Sequence, residues 1–309
     1  MLKEIRISAV IPTFNRERTV ARAIASALAQ EYPPVEVIVV DDGSTDMTAE
    51  VVGRHGGKCF YLRQDNAGVS SARNRGVEAS RGEWVAFLDS DDFWELGHLS
   101  KLAEAVRDTD GQAALYFRDA APPGAEGGGS YWDLCGFKID GPYSFRQDAS
   151  PWVMMPVQPM LFQASLIKRL SFWEVGGLPA DLRTREDTLL FFKLGLRFPA
   201  CAVAGRGTVM TSDGPRRLTR EINSTNPVYW DATLAIYRNL LPFAARFRPE
   251  HRGYFRDRLS AAFFSCGRLA YRKREPVRMV KSLLASAGRS PSMFLKCLSE
   301  SLGTRPPGT

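Results

Sequence analysis

Residues 82–95 read GEWVAFLDSDDFWE. WVAFL at 84–88 is an apolar run that suits a buried strand, and the chain then meets Asp89, Asp91 and Asp92 within four residues. Two carboxylates about 4 Å apart at an effective dielectric near 20 repel by roughly 4 kcal/mol. A strand that ends in such a cluster points to an incoming cation.

Working outward, the same pattern repeats. IRISAVI at 5–11 reads as a strand followed by a helix over 17–31, with Val20, Ala21, Ile24, Ala27 and Leu28 on one face. VEVIVV at 35–40 is a continuous β-branched run, the mark of a parallel strand buried on both faces. DDGSTD at 41–46 is a turn, with Thr45 or Asp46 able to cap the next helix. KCFYL at 58–62, a helix over 68–80, WVAFL at 84–88 and a helix running from Asp92 to about Val106 complete the alternation. Strands and helices joined by short connections predict a mostly parallel, Rossmann-like sheet flanked by helices. Ligands of such sheets sit outside the carboxyl ends of the strands. There Pro12, Phe14 and Asn15 follow the first strand, Asp41 and Asp42 the second, and Asp89, Ser90 and Asp91 the fourth. No P-loop and no G-x-G-x-x-G follows the first strand, so neither explains the crevice.

ISAVIPTFNR, VEVIVVDDGSTD, NAGVSSARNRG and GEWVAFLDSDD, in that order, resemble the family 2 glycosyltransferases. The resemblance is close over residues 5–105 and looser to about 220. It implies an inverting enzyme of the A-type nucleotide-diphosphosugar transferase fold, a hexosyltransferase that uses Mn²⁺ or Mg²⁺. It places Phe14 near the nucleotide base, Asp41 on the base with Asp42 beside it, and Arg73 toward the nucleotide or its phosphates. Asp91 takes the metal, Asp89 supports it, and Asp92 is a nearby support or a helix cap. The base is expected in an E-D pair opening a later helix. LRTREDTLLFFKLG supplies Asp187 as base and Glu186 as a binder of sugar hydroxyls. A His that many relatives carry beyond the base is absent. Asp213 is the candidate replacement, with Arg216 or Arg217 toward the diphosphate. His98 reads as a surface residue.

Charge divides the chain. Residues 1–110 hold 13 Lys and Arg against 18 Asp and Glu, a net of −5, whereas 246–309 hold 14 against 4, a net of +10. The expected organisation is a catalytic domain over 1–222, with a nucleotide-sugar half at 1–110 and an acceptor half at 111–222, then a basic helical region over 223–309. AAPPGAEGGGS reads as a loop, and Pro242, Pro249, Pro276 and Pro291 separate the later helices. Trp132, Trp152 and Trp173 are candidates for stacking on an acceptor sugar, although tryptophan in a mixed domain is more often a core residue. The basic tail, with Phe263, Phe264 and Tyr271 beside Arg268, Arg272, Lys273 and Arg274, suits an anionic membrane surface. No nucleic-acid module is recognisable, so nucleic acid is not an expected partner. No apolar run reaches the roughly 20 residues of a membrane span. The first run ends at Pro12, too short for a signal-peptide core, so a cytoplasmic protein is expected, peripheral at the inner face of the membrane. Five widely spaced cysteines exclude a disulfide framework. The expected activity is sugar transfer from a nucleotide-diphosphate sugar to a glycan or lipid-linked acceptor in cell-surface polysaccharide or glycoconjugate biosynthesis. The alternative is a catalytically silent nucleotide-sugar-binding partner or sensor.

Overall fold

The computed structural model describes residues 4–124, 128–211 and 224–303. Asp213, Arg216 and Arg217 lie outside the described residues. The chain divides into two compact units, the first formed by residues 1–181 with 186–215 and the second by 182–185 with 216–309.

The first unit is built on one nine-stranded sheet. Its strands are β1 (Ile7–Thr13), β2 (Glu36–Asp41), β3 (Phe60–Arg63), β4 (Trp84–Phe87), β5 (Phe93–Trp94), β6 (Leu115–Ala121), β7 (Tyr143–Arg146), β8 (Ser165–Lys168) and β9 (Ala200–Val209). Its helices are α1 (Val20–Leu28), α2 (Thr48–Gly53), α3 (Val69–Ala79), α4 (His98–Asp108), α5 (Tyr131–Cys135), α6 (Ser150–Val153), α7 (Arg169–Glu174) and α8 (Glu186–Arg197). The order is β3-β2-β1-β4-β8-β6-β9-β5, with β7 pairing β9. From β3 to β4 every pairing is parallel, as the unbroken β-branched runs predict. Beyond β4 the sheet is mixed, because β8 enters antiparallel to both β4 and β6.

Alternation along β1 sends Ile7, Ala9 and Ile11 into one core with Val20, Ala23, Ile24 and Ala27 of α1. Each fully buried Val, Leu or Ile contributes about 1.5–3 kcal/mol. On the other face α3 lies close against β1 and β2. A Cβ at Gly76 would stand 2.3 Å from Val10 Cγ1, so only glycine lets the helix approach this far. That approach fixes where Arg73, one turn earlier, leaves α3.

Four expectations are corrected. The helix after the aspartates begins at His98, because Phe93–Trp94 first pairs antiparallel with Thr208–Val209; Asp92 is therefore no helix cap. His98 is fully buried, not on the surface. It stacks on Trp94, and a Cβ at Gly207 would lie 2.1 Å from its Nδ1, so the missing side chain of Gly207 makes its space. Trp132 and Trp152 belong to a buried aromatic cluster around Phe117 and Phe137, which leaves Trp173 as the exposed tryptophan of the three. Finally, Pro242 does not end a helix.

The second unit holds α9 (Pro227–Phe247), which runs through Pro242, then α10 (Arg252–Arg272), α11 (Pro276–Arg289) and α12 (Pro291–Gly303). Asn226 caps α9 by accepting from Val228 N–H, and Pro276 and Pro291 occupy first positions, where no intrahelical N–H is needed. Leu283 of α11 closes over Gly267 of α10. Ser260, Ser286 and Ser290 exchange hydrogen bonds at the same contact. Among the described residues, no helix is long and apolar enough to cross a membrane. All five cysteines are free.

Candidate active site

In β1 and β2, Thr13 stands opposite Asp41, and Val10 stands opposite Phe87 of β4. Phe14, Asp42 and Asp89 therefore leave the sheet at one edge. The loops after the three strands are joined at this edge, where Asn15 N–H donates to Ser44 and Arg16 reaches toward Asp91.

Asn15 joins the first two loops. Its backbone takes a left-handed turn, φ 51°, its N–H donates to Ser44 Oγ at 2.9 Å, and its Oδ1 accepts from Thr45 N–H at 2.9 Å. Pro12 is a buried residue within β1, whereas Phe14 is 42% exposed just beyond it. Asn15 thus shapes the loop that presents the Phe14 ring.

The two neighbouring aspartates divide their work. Asp42 accepts from Gln64 Nε2 and from the backbone N–H groups of Ala67 and Gly68, so it holds the turn that launches α3. Asp41 is fully buried. It accepts from Ser44 N–H at 2.8 Å and from the Tyr61 hydroxyl, and Arg63 Nη1 lies 3.8 Å away. Burial and the Asp41 charge push the Tyr61 phenol up to about 12, so it remains a donor. Tyr61 and Arg63 were not singled out from sequence; their i, i+2 spacing on β3 puts both on one face and was the available signal.

Asp89, Asp91 and Asp92 have carboxylate oxygens all within 4.8 Å of one another. Asp92, fully buried, accepts from Thr211 N–H at 2.9 Å and from Gln163 Nε2 at 3.3 Å. The backbone carbonyl of Asp91 accepts from Arg22 Nη2 and Thr211 Oγ1. The loop is thus pinned through Asp92 and the Asp91 backbone. Arg16 Nη2 reaches to 3.9 Å from Asp91 Oδ2. Arg16 follows the P-T-F-N run directly, and Arg22 lies one helical turn into α1; sequence reasoning passed over both.

Arg73 connects this cluster to the second half of the unit. Its guanidinium donates to Asp89 Oδ1 at 2.7 Å and to Glu186 Oε1 at 2.6 Å, and lies 4.3 Å from the centre of the Phe162 ring. Burial acts to lower the Arg73 pKa, but the two carboxylates overcome it and hold the group above its ordinary value. Burial pushes the Glu186 carboxyl up; Arg73 opposes that shift and the Asp187 charge adds to it. Arg185, directly before, has φ 63°, a left-handed conformation that turns the chain into α8. Asp187 is the second residue of that helix. One of its oxygens accepts from Thr188 N–H at 2.6 Å; the half-buried Tyr131 phenol is raised by burial first, then by Cys135 and by the Asp187 charge. Asp89, Asp91, Arg73, Glu186 and Asp187 thus form one linked set. Pro12, Asn15 and Asp42 lie at its margin, Asn15 and Asp42 with the loop bonds described above, and Ser90 is buried between the two aspartates.

The donor set suits a hard divalent cation. Carboxylate oxygens favour Mg²⁺ and Mn²⁺. Within the cluster Asp92 also bonds Thr211 and Gln163, one Asp89 oxygen accepts from Arg73, and Asp91 lies 3.9 Å from Arg16.

Residues 8–169 match the family model "Glycosyl transferase family 2", just over half of the chain. The glycosyltransferase GlyA of Streptococcus pneumoniae serotype 4 is 34% identical over 109 residues, which cover 34% of this chain and 16% of that protein. An uncharacterized glycosyltransferase of Nostoc sp. is 36% identical over 119 residues, 37% of each chain. The chain therefore spans well under half the length of these relatives. In fold it is similar to S. aureus TarS 1–349 in complex with UDP-GlcNAc, with a TM-score of 0.63 at 16% identity over 93% of this chain and 92% of that one. It is also similar to a mannosyltransferase from Pyrobaculum calidifontis in complex with GDP-Man and Mn²⁺, with a TM-score of 0.53 at 17% identity over 98% and 81%.

Proposed function

The chain belongs to glycosyl transferase family 2. From that premise we propose that it is a metal-dependent, inverting hexosyltransferase that moves a sugar from a nucleotide-diphosphate sugar to a hydroxyl of a glycan or lipid-linked acceptor. Its setting is cell-surface polysaccharide or glycoconjugate assembly at the inner face of the cytoplasmic membrane. One observation carries the reading: Arg73 ties the carboxylate cluster at the end of β4 to the Glu186-Asp187 pair opening α8.

Each group then has a task. Phe14 offers an exposed ring to the nucleotide base, and Asp41, held by Tyr61 and Ser44, offers a fixed acceptor to a base N–H. Asp91, with Asp89 behind it, would hold Mn²⁺ or Mg²⁺, which when bound neutralises charge developing on the departing diphosphate. Asp187 removes the proton from the acceptor hydroxyl as that oxygen bonds to the anomeric carbon and the bond to the diphosphate oxygen breaks. A single displacement inverts the anomeric centre. Glu186 is buried and paired with Arg73, so it positions the site and leaves the proton transfer to Asp187. The same arrangement would serve a silent nucleotide-sugar sensor only if Asp187 were idle.

Sugar transfer from a panel of nucleotide sugars, measured for the wild-type chain and for Asp187→Asn, tests the reading. Loss of transfer with nucleotide binding retained is expected. Full activity in Asp187→Asn would remove the base assignment, and a wild-type chain that binds but never transfers would favour the sensor.

A further inference from the structure

The basic tail was expected to use Phe263 and Phe264 beside its arginines, but both rings are buried in the second unit. Phe264 packs on Phe294 of α12, and Phe263 lies under the Arg289 guanidinium. The outward-facing apolar groups are elsewhere.

Helix α11 reads PVRMVKSLLASAGR. Its inner side is accounted for: Ser286 is buried against Ser260, and Leu283 closes on Gly267. At 100° per residue, Val277, Val280 and Leu284 share the opposite side with Lys281. These three apolar side chains are 67%, 48% and 69% exposed. A helix that is apolar on both sides has a second surface to bury. The end of α10 carries an exposed Tyr271 and Arg272, the turn after it Lys273 and Arg274, and α12 adds the exposed Leu295 and Leu298 beside Lys296. Between Arg268 and Leu298 the chain holds eight Lys and Arg and one acidic residue, Glu275.

We infer that the outer face of α11, with the Tyr271–Arg274 segment, is a docking surface for an anionic lipid bilayer. Val277, Val280 and Leu284 enter the boundary between headgroups and acyl chains. Lys273, Arg274 and Lys281 face the lipid phosphates. An apolar stripe flanked by Lys and Arg has this complementarity, and helices of this kind lie in the interface plane without crossing it. A protein partner would equally cover the apolar groups, but an excess of eight cations over one anion selects a polyanionic surface. The inference deepens the peripheral-membrane reading above and does not depend on sugar transfer. A chain that docks without transferring keeps it, and a transferase that stays off membranes loses it alone.

The test is flotation of the full chain with vesicles of phosphatidylcholine alone and of phosphatidylcholine with phosphatidylglycerol, at low and physiological salt. The variants are Val280→Ser/Leu284→Ser and Lys273→Glu/Lys281→Glu, and sedimentation of each protein alone runs in parallel. The wild-type chain should float with the anionic vesicles and not with the neutral ones. The serine pair should lower that partition by about tenfold or more while transfer to a soluble acceptor is unchanged. The charge-reversal pair should lose it most at low salt. No flotation of the wild type, or serine variants that float as well as it does, would overturn the inference. So would a wild-type oligomer that the serine pair converts to monomer without any vesicle binding, which would assign the stripe to a second copy.

Discussion

Arg73 Nη1 lies 2.6 Å from Glu186 Oε1, in a site where both side chains are nearly excluded from solvent. The second Nη of the same guanidinium is held by Asp89. Removing a buried partner leaves its opposite charges uncompensated, a loss of about 3–5 kcal/mol. Arg73→Met should therefore be destabilised by about that amount in a denaturant titration. The double variant Arg73→Met/Glu186→Gln should recover part of the loss, because one stranded carboxylate is gone. An Arg73→Met chain as stable as wild type would show that the bridge contributes little.

The three aspartates should separate by assay. Asp92 holds Thr211 N–H and Gln163 from a fully buried position. Asp92→Ala leaves those donors unmet and should cost about 1–3 kcal/mol. Asp91 accepts from Arg22 and Thr211 through its backbone carbonyl, contacts that an alanine keeps, and its carboxylate lies 3.9 Å from Arg16, so Asp91→Ala should cost less stability than Asp92→Ala. It should instead lose metal-dependent transfer. Equal stability losses in the two variants would contradict this division.

His98 supplies a pH signature. Burial, and then the charge of Arg118, hold its pKa well below 6.5. Below pH 6.5 the unfolded chain takes up a proton at this ring and the folded chain does not. Stability should therefore fall as pH drops through that value and be free of the penalty above it. Denaturant midpoints at pH 7.5 and 5.5 should differ more for the wild-type chain than for His98→Asn. An identical pH dependence would mean that the ring accepts its proton in place.

Much of this was readable in advance, for identifiable reasons. Parallel strands buried on both faces appear as unbroken β-branched runs, so β1, β2 and β4 stood out, and the aspartates that follow them marked the ligand edge. The Glu186-Asp187 helix start was found through the family resemblance, and Glu186 does open α8. What stayed hidden depends on partners distant in sequence. His98 is buried because Gly207 makes room for it across β9. The short Phe93–Trp94 strand exists because β9 pairs with it. The bonds that Asp42 accepts from the backbone N–H groups of Ala67 and Gly68 come from the far end of the next loop, and its own D-D-G-S turn does not announce them. Phe263 and Phe264 looked like membrane groups until α12 and Arg289 covered them.

The most direct measurement is the melting temperature of the wild-type and Asp91→Ala chains with a panel of nucleotide diphosphates and their sugars, with and without Mn²⁺. A ligand at a hundred times its Kd stabilises the native state by about 2.7 kcal/mol. In a unit of this size each kcal/mol raises the melting temperature by roughly 2–4 °C. One nucleotide class should shift the wild-type chain by several degrees only when Mn²⁺ is present, and Asp91→Ala should lose the metal-dependent part. No shift with any nucleotide, with or without metal, would contradict the assignment of this site to a nucleotide-sugar donor.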